Sequence, residues 1–396
     1  MASVQYREIE GRGAGYYGLL GMLALVIGAG LAAAWSMEHH GHVITGMTNR
    51  IVWGMPHVFA VFLIVAASGA LNVASVASVF GRELYKPLAR LSGLVAVALL
   101  AGGLAVLVLD LGRPERLIVA MTHYNFKSIF AWNIFLYTGF FAVVALYLWT
   151  MFERRMNGYT TRAGVVAFLW RLVLTTGTGS IFGFLVAREP YDSALFAPLF
   201  IIMSFSFGTA AFVLVLMAAC RWSGRPLGDA LLARLGNLLG IFVAAVLYFV
   251  AVHHLTNLYI ARRLDLERFL LVDGGVYTAL FWIGQVLVGG VVPLVLVFVV
   301  RSRAAIAAAA SCVIAGGLAQ VYIIIIGGQA YPQWIFPGKE VSSSFFDGVV
   351  ASYAPSLPEV ALGVGGVALA AALTVLGLKV LPFLPRSLAD AEAAKA

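Results

Sequence analysis

The feature that most constrains this chain is the repeated return of apolar stretches about as long as a bilayer is thick. A hydrocarbon core takes ~20 consecutive apolar residues per helix. The sequence supplies such stretches at Tyr16–Trp35, Val52–Phe80, Leu91–Leu109, Ile129–Met151 and Gly164–Val186. The second half adds Leu195–Ala219, Leu238–Ile260, Tyr277–Val300, Ala304–Ile326 and Val360–Leu381. Lipid offers the backbone no hydrogen bonds, so a span must be a helix or part of a closed barrel. Long apolar runs without strict alternation exclude the barrel. Composition agrees: 62% of residues are hydrophobic and 11% are charged, against ~25% charged in soluble domains. The expected fold is an all-α integral membrane protein with about ten transmembrane helices.

Basic residues set the expected orientation. With both termini inside, the inner joints hold 16 Lys and Arg and the outer joints nine, leaving Arg171 within a span. Positive residues collect on the cytoplasmic side. Both termini are therefore expected in the cytoplasm, in a bacterial or archaeal cytoplasmic membrane. The net charge of +8 reflects this topology and gives no reason to infer nucleic-acid binding. The first span lacks a small-residue cleavage site and reads as a retained helix. Cys220 and Cys312 stand alone, and there is no Cys-x-x-Cys. No iron–sulfur cluster is expected in this chain.

Ionisable groups within a bilayer are costly, so the few present are informative. His57 lies one turn into the second span beside Pro56, and Asp110 closes the third, followed by Arg113. Arg188 and Asp192 lie between the fifth and sixth spans, and His253, His254, Asn257 and Tyr259 end the seventh. Singly, each has a plain structural reading, such as a helix cap, a snorkelling arginine or an interfacial histidine. Together they share one depth, the outer membrane boundary. A polar pocket there suits an amphipathic, lipid-soluble substrate such as a quinol. Quinol oxidation releases two protons, for which His57 and Asp110 are the natural acceptors. Tyr124 is expected within reach of the same head group.

The run Leu109-Asp110-Leu111-Gly112-Arg113-Pro114 resembles the LDLGRP signature of the NrfD/polysulfide-reductase (PsrC) membrane-subunit family. Lys127-Ser128-Ile129-Phe130-Ala131-Trp132 is similar to the segment that follows it in that family. Trp53-Gly54, Gly179–Gly183 with Ala187-Arg188, Ala197–Ile201 and Tyr353–Glu359 look like further family segments in the right order. The length and helix count look most like the longer branch, which includes HybB and the DsrP subunit of the DsrMKJOP complex.

The resemblance implies two four-helix bundles, here residues 51–192 and 193–327. A first helix (1–50), a long outer loop (328–359) and a last helix with its tail (360–396) flank them. It implies a subunit of a respiratory or sulfur-metabolism complex that passes electrons between quinone (menaquinone or ubiquinone) and a periplasmic ferredoxin-like iron–sulfur subunit. Other membrane and cytochrome subunits are expected beside it. The family generally carries no redox centre of its own, so neither haem nor cluster is expected. The quinone site is expected in the first bundle, near His57, Asp110, Arg113, Tyr124, Trp132 and Arg188, with Asp192 and His254 as further contacts. The outer loop Gly327–Glu359, with Tyr331, Trp334, Phe336, Phe345, Phe346 and Tyr353, and the joint Asp110–Ser128 are expected to dock the partner. Two rival readings are a b-type cytochrome with His57 and His254 on haem, and a transporter using Arg171, Gln285 and Gln320 near the midplane.

Overall fold

Each crossing must close its own backbone hydrogen bonds. The computed structural model describes residues 4–273, 275–333 and 348–390. Among these it has ten helices long and apolar enough to cross a membrane. They are α1 (Ala14–His40), α2 (Met55–Ser78), α3 (Glu83–Leu109), α4 (Ile129–Phe152), α5 (Arg154–Gly183), α6 (Phe196–Trp222), α7 (Asp229–Tyr259), α8 (Val276–Val300), α9 (Arg303–Ala330) and α10 (Leu357–Val380). The protein is an all-α membrane protein, as the apolar pattern requires.

Several helices begin earlier than hydropathy suggests: α3 at Glu83, α5 at Arg154 and α7 at Asp229. An apolar run stops at the first charged residue. The helix itself continues into the interface, where long charged side chains reach water. α2 is the opposite case and starts at Met55, not Val52. The side chain of Gln329 takes up the backbone of Val52 and Trp53 before the helix can begin.

α2 is the centre of the molecule, with 94% of its apolar window buried against 17% for α1. It packs against α3, α6 and α10. α4 lies on α5, α6 on α5 and α7, and α9 on α6 and α8. α1 packs along α10. α2 is interrupted at Leu71, between segments Met55–Ala70 and Asn72–Ser78. The hydroxyl of Ser92 on α3 enters the gap. It donates to the Ala70 carbonyl at 2.7 Å and accepts from the Ala74 amide at 3.2 Å. A side chain inserted into the ladder is a recognised cause of a helix break.

Arg171, on α5, is 1% exposed. Its guanidinium lies over the rings of Phe168 and Phe205, 4.9 Å from each centroid. Among the described residues it has no ion-pair partner.

The termini meet. Tyr6–Arg7 (β1) pairs antiparallel with Leu384–Pro385 (β2). Arg225, after α6, donates to the Leu384 carbonyl at 2.7 Å. Both ends of the described residues therefore share one face, and the start of α2 and the end of α3 lie at the other, called here the far face.

α2 and α6 cross at Gly69 and Gly208. A Cβ on Gly69 would stand 1.5 Å from the Ser204 carbonyl oxygen, and one on Gly208 would stand 2.1 Å from Ala70 N. Both obstacles are backbone, so they cannot rotate away. Gly69→Ala should lower the folded yield and melting temperature in detergent. Gly18→Ala on α1, where a Cβ meets nothing within 4 Å, should leave both unchanged. Equal melting of the two variants, followed by thermal size-exclusion, would refute a tight crossing.

Candidate functional site

The LDLGRP run is folded by simple local rules. Leu109 ends α3 and Asp110 follows as its C-cap. Gly112 then takes a left-handed φ of +68°, and a Cβ there would stand 3.0 Å from the His42 ring. Only glycine both adopts that turn readily and leaves the space. Pro114 starts the next short turn, where a missing N–H costs nothing.

The turn delivers the Asp110 carboxylate, its side chain 1% exposed, to the first turn of α2. His57 Nδ1 stands 2.9 Å from Asp110 Oδ2. His42, after α1, places Nε2 3.6 Å from Oδ1 and 3.1 Å from the Asp110 carbonyl. The two carboxylate contacts are ion-pair approaches that lack good hydrogen-bond angles. Both carboxylate oxygens and His57 Nδ1 thus remain buried without an aligned donor or acceptor among the described residues. Burial alone would raise the Asp110 pKa, but His42 and His57 outweigh it and hold the carboxyl below its ordinary value. The Asp110 side chain in turn raises His42 above the ordinary histidine value.

The wall of the site is aromatic. Trp53 stacks on His57 with centroids 6.1 Å apart and also meets Phe130, Phe182 and Tyr191. Its backbone is held from α9. Gln329 Oε1 accepts from the Val52 and Trp53 amides at 2.9 and 3.1 Å, and its Nε2 donates to the Trp53 carbonyl at 2.9 Å. Arg188 donates to the carbonyls of Gln329 (3.1 Å) and Arg50 (2.9 Å). It acts as a backbone clamp.

The other expected residues are spread more widely. Arg113 is exposed and makes no ion pair with Asp110; the histidines occupy that position. Tyr124 stacks on Phe135 at 4.2 Å, and Trp132 donates to the Phe126 carbonyl at 2.9 Å. Together they form an aromatic ledge on the joint before α4. Asp192 and His254 lie in a second cluster. There His254 Nδ1 meets Glu267 Oε2 at 2.6 Å, and Arg263 donates to Asn257 Oδ1 at 2.9 Å and to the Asp192 carboxylate at 3.2 Å. Trp334, Phe336, Phe345 and Phe346 lie outside the described residues.

Sequence reasoning missed His42, Gln329 and Glu267. The run Glu38–His42 is unusually polar for a helix end, which is the only hint His42 gives. Glu267 sits in a charged run that reads as a solvated face, yet it is fully buried.

The polysulphide reductase NrfD family model matches residues 43–333. That range covers Asp110, His57 and the whole LDLGRP turn. The chain belongs to the NrfD family. Among similar NrfD-like proteins is the Hdr-like menaquinol oxidoreductase integral membrane subunit of Archaeoglobus fulgidus, 29% identical with 97% of both sequences covered. A putative dimethyl sulfoxide reductase membrane subunit from Halobacterium salinarum is also 29% identical, over 94% of this sequence and 93% of its own. A polysulfide reductase polypeptide of Wolinella succinogenes is 23% identical, over 72% of this sequence and 96% of its own.

The two shifts at the NrfD turn carry a pH signature. His42 is raised, so its contribution to stability is full below the ordinary histidine pKa and is lost as pH rises through the folded value. Asp110 is lowered, so its contribution is full above the ordinary carboxyl pKa and is lost as pH falls through the folded value. The cluster stabilises the fold fully between about pH 4 and about pH 6.5. The difference in melting temperature between wild type and Asp110→Asn should peak in that window and shrink on both sides. A pH-independent difference in a detergent melting series would contradict the cluster.

Proposed function

We propose that this protein is the quinone-reactive membrane subunit of an oxidoreductase complex. It exchanges electrons between membrane quinone or quinol and an iron–sulfur partner on the far face, without a redox centre of its own. The observation that carries the reading is the Asp110 carboxylate, buried at the far face between two histidines with neither oxygen well bonded. Such a group is suited to fix the proton position on His57 and to stabilise its imidazolium while a hydroxyl bound beside it gives up a proton. The residues fit a quinone head group. His57 and Asp110 provide donor and acceptor, Trp53 gives a flat wall, and the exposed Phe130 and Val52 are apolar towards the lipid. Three relatives support the assignment by name, through menaquinol in one case and sulfur-compound reductases in two.

When bound, quinol supplies two electrons and two hydroxyl protons. The part played by the protein follows from its geometry. Asp110 beside Nδ1 keeps the His57 proton on that nitrogen, which leaves Nε2 as the acceptor. Of the two protons, one would pass to Nε2, where the carboxylate 2.9 Å away stabilises the imidazolium, and the other would leave to water on the far face as the electrons pass to the iron–sulfur partner. His42 holds Asp110 ionised for that purpose. Trp53, fixed by Gln329, sets the plane in which the ring is held. Tyr124 and Trp132 line the approach from the lipid, and Arg113 faces solvent. Arg188 acts through Gln329 and Arg50. Asp192 and His254 lie outside this site.

The excess of basic residues on the termini face supports a cytoplasmic placement of that face and a periplasmic one for the far face. The joint between α3 and α4 exposes Ile118, Val119 and Phe126 there. An apolar exposed patch of this kind suits an iron–sulfur subunit docked close enough for electron transfer. The complex would serve sulfur metabolism or anaerobic respiration.

Asp110→Asn keeps size and removes the titratable charge. We expect at least about tenfold loss of quinol-dependent turnover per folded molecule, with near-normal yield. A purely structural role gives the reverse: reduced yield with normal turnover. A reporter fused after Pro385 should be active only in the cytoplasm. Periplasmic activity would place His57 and Asp110 on the wrong side for the proposed partner.

A further inference from the structure

The second histidine–carboxylate pair is built with as much care as the first. α7 ends with His253, His254 and Asn257 on its last turns. The short helix Leu264–Arg268 folds back over that end and brings Glu267, which is fully buried. Asn257 fixes the pattern of protons. Its Oδ1 accepts from Arg263 at 2.9 Å, so its Nδ2 must face Glu267 Oε1 at 2.7 Å and His253 Nε2 at 3.3 Å. His253 therefore accepts at Nε2 and carries its proton on Nδ1. That N–H is buried without a partner among the described residues, as is the Gln320 amide nitrogen on α9. His253 is 9% exposed and Gln320 is 3% exposed.

Both side chains line one cavity of about 50 Å³, together with His254, Gln285, Phe196 and Leu199. This is room for one or two waters, with polar groups to hold them. The cavity touches three π-helical stretches, at Phe269–Asp273, Leu280–Val291 and Ile323–Gly327, through Leu270, Gln285 and Ile323. Such widened turns are rare and cluster at functional sites.

We propose that the cavity is a hydrated proton-binding site in the α6–α9 half, separate from the His57–Asp110 pair. Its donors, His253 Nδ1–H and the Gln320 amide, hold water by its oxygen. His254 is the proton acceptor. Its Nδ1 is committed to Glu267 at 2.6 Å, so Nε2 is the free nitrogen. One proton from bulk solvent is relayed through the cavity water, which gives up one proton to Nε2 and takes another in its place, giving an imidazolium held by the Glu267 carboxylate. No electron moves. The charged groups facing His254 are Glu267 and, beyond Asn257, Arg263 with Asp192. His253 lies beside His254 with ring centroids 5.4 Å apart, and among the described residues the cavity lining from α6, α8 and α9, with Phe281, carries no titrating group.

The test is ¹⁵N-histidine solid-state NMR of the full-length protein in lipid, with His254 assigned by loss of its signal in His254→Gln. His254 should titrate between imidazolium and neutral forms and show cross-peaks to water. Glu267→Gln should lower its midpoint by at least about one pH unit, roughly a tenfold loss of proton affinity. Gln320→Leu does not touch the ion pair; it should weaken the water cross-peaks severalfold while leaving those of His57 unchanged. A His254 fixed in one state from about pH 4 to about pH 10, well beyond the usual histidine range, or without water contact in the wild type, overturns the proposal. So does an unchanged midpoint in folded Glu267→Gln. None of these readouts depends on quinol turnover, so the result stands whatever becomes of the first site.

Discussion

The position of the far-face site depends on one buried carboxylate that does no chemistry. Glu359 is fully buried at the start of α10. Its Oε2 accepts from the Ser356 and Gly46 amides, both at 2.8 Å, and its Oε1 accepts from the Tyr353 hydroxyl at 2.6 Å. Tyr353 then accepts from the Met55 amide, the first of α2, at 2.7 Å. One ionised group thus binds the start of α10, the joint after α1 and the start of α2. Charge-assisted bonds of this kind are about twice as strong as neutral ones, and lipid offers no competing partner. His57 stands two residues beyond Met55, so the first catalytic candidate inherits its place from Glu359. Tyr353 is locked into the same network. Burial and the neighbouring carboxylate hold its hydroxyl far above the ordinary phenol range, so it serves as a fixed donor.

How much of this was legible in the sequence follows from range. Hydropathy is local, and it found all ten crossings. It misplaced the ends of α3, α5 and α7 because apolar scoring stops where charge begins, while backbone hydrogen bonding does not. Asp110 and His57 could be singled out because each is an ionisable group in or beside an apolar run. That they touch could not be read from sequence alone, since 53 positions separate residues 57 and 110. Arg113 was expected at the same site as Asp110. The turn at Gly112 instead sends Arg113 outward and opens the space that the His42 ring fills. Glu267 shows the opposite error. Its neighbours Arg263, Asp265 and Arg268 make the run look solvated, but the fold buries the one carboxylate that meets His254.

The two halves solve the same problem by different means. In each, a histidine near the far face turns Nδ1 to a buried carboxylate, which fixes the tautomer and steadies the protonated form. In the first half the carboxylate is poorly aligned and its oxygens remain available. In the second each carboxylate oxygen already accepts a hydrogen bond, from His254 and from Asn257. A carboxylate with lone pairs to spare can also accept a hydrogen bond from a bound hydroxyl. One whose oxygens are both hydrogen-bonded is placed to stabilise the charge of its histidine. Similar residue types therefore support different roles, and the number of hydrogen bonds already made separates them.

The link between the halves is also physical. Gln329 on α9 bonds the Trp53 backbone as a neighbouring strand would, and Arg188 after α5 ties Gln329 to Arg50. Trp53 in turn packs on His57. Any tilt of α9 against α2 must therefore break bonds to Trp53 or move its ring. Deeper in the membrane, the close approach of Gly69 and Gly208 fixes α2 against α6 in the same way. A site held at both levels is preorganised. On the function proposed, little rearrangement is left for the moment of proton transfer, which is the condition under which fixed dipoles and charges act most strongly in a water-poor environment.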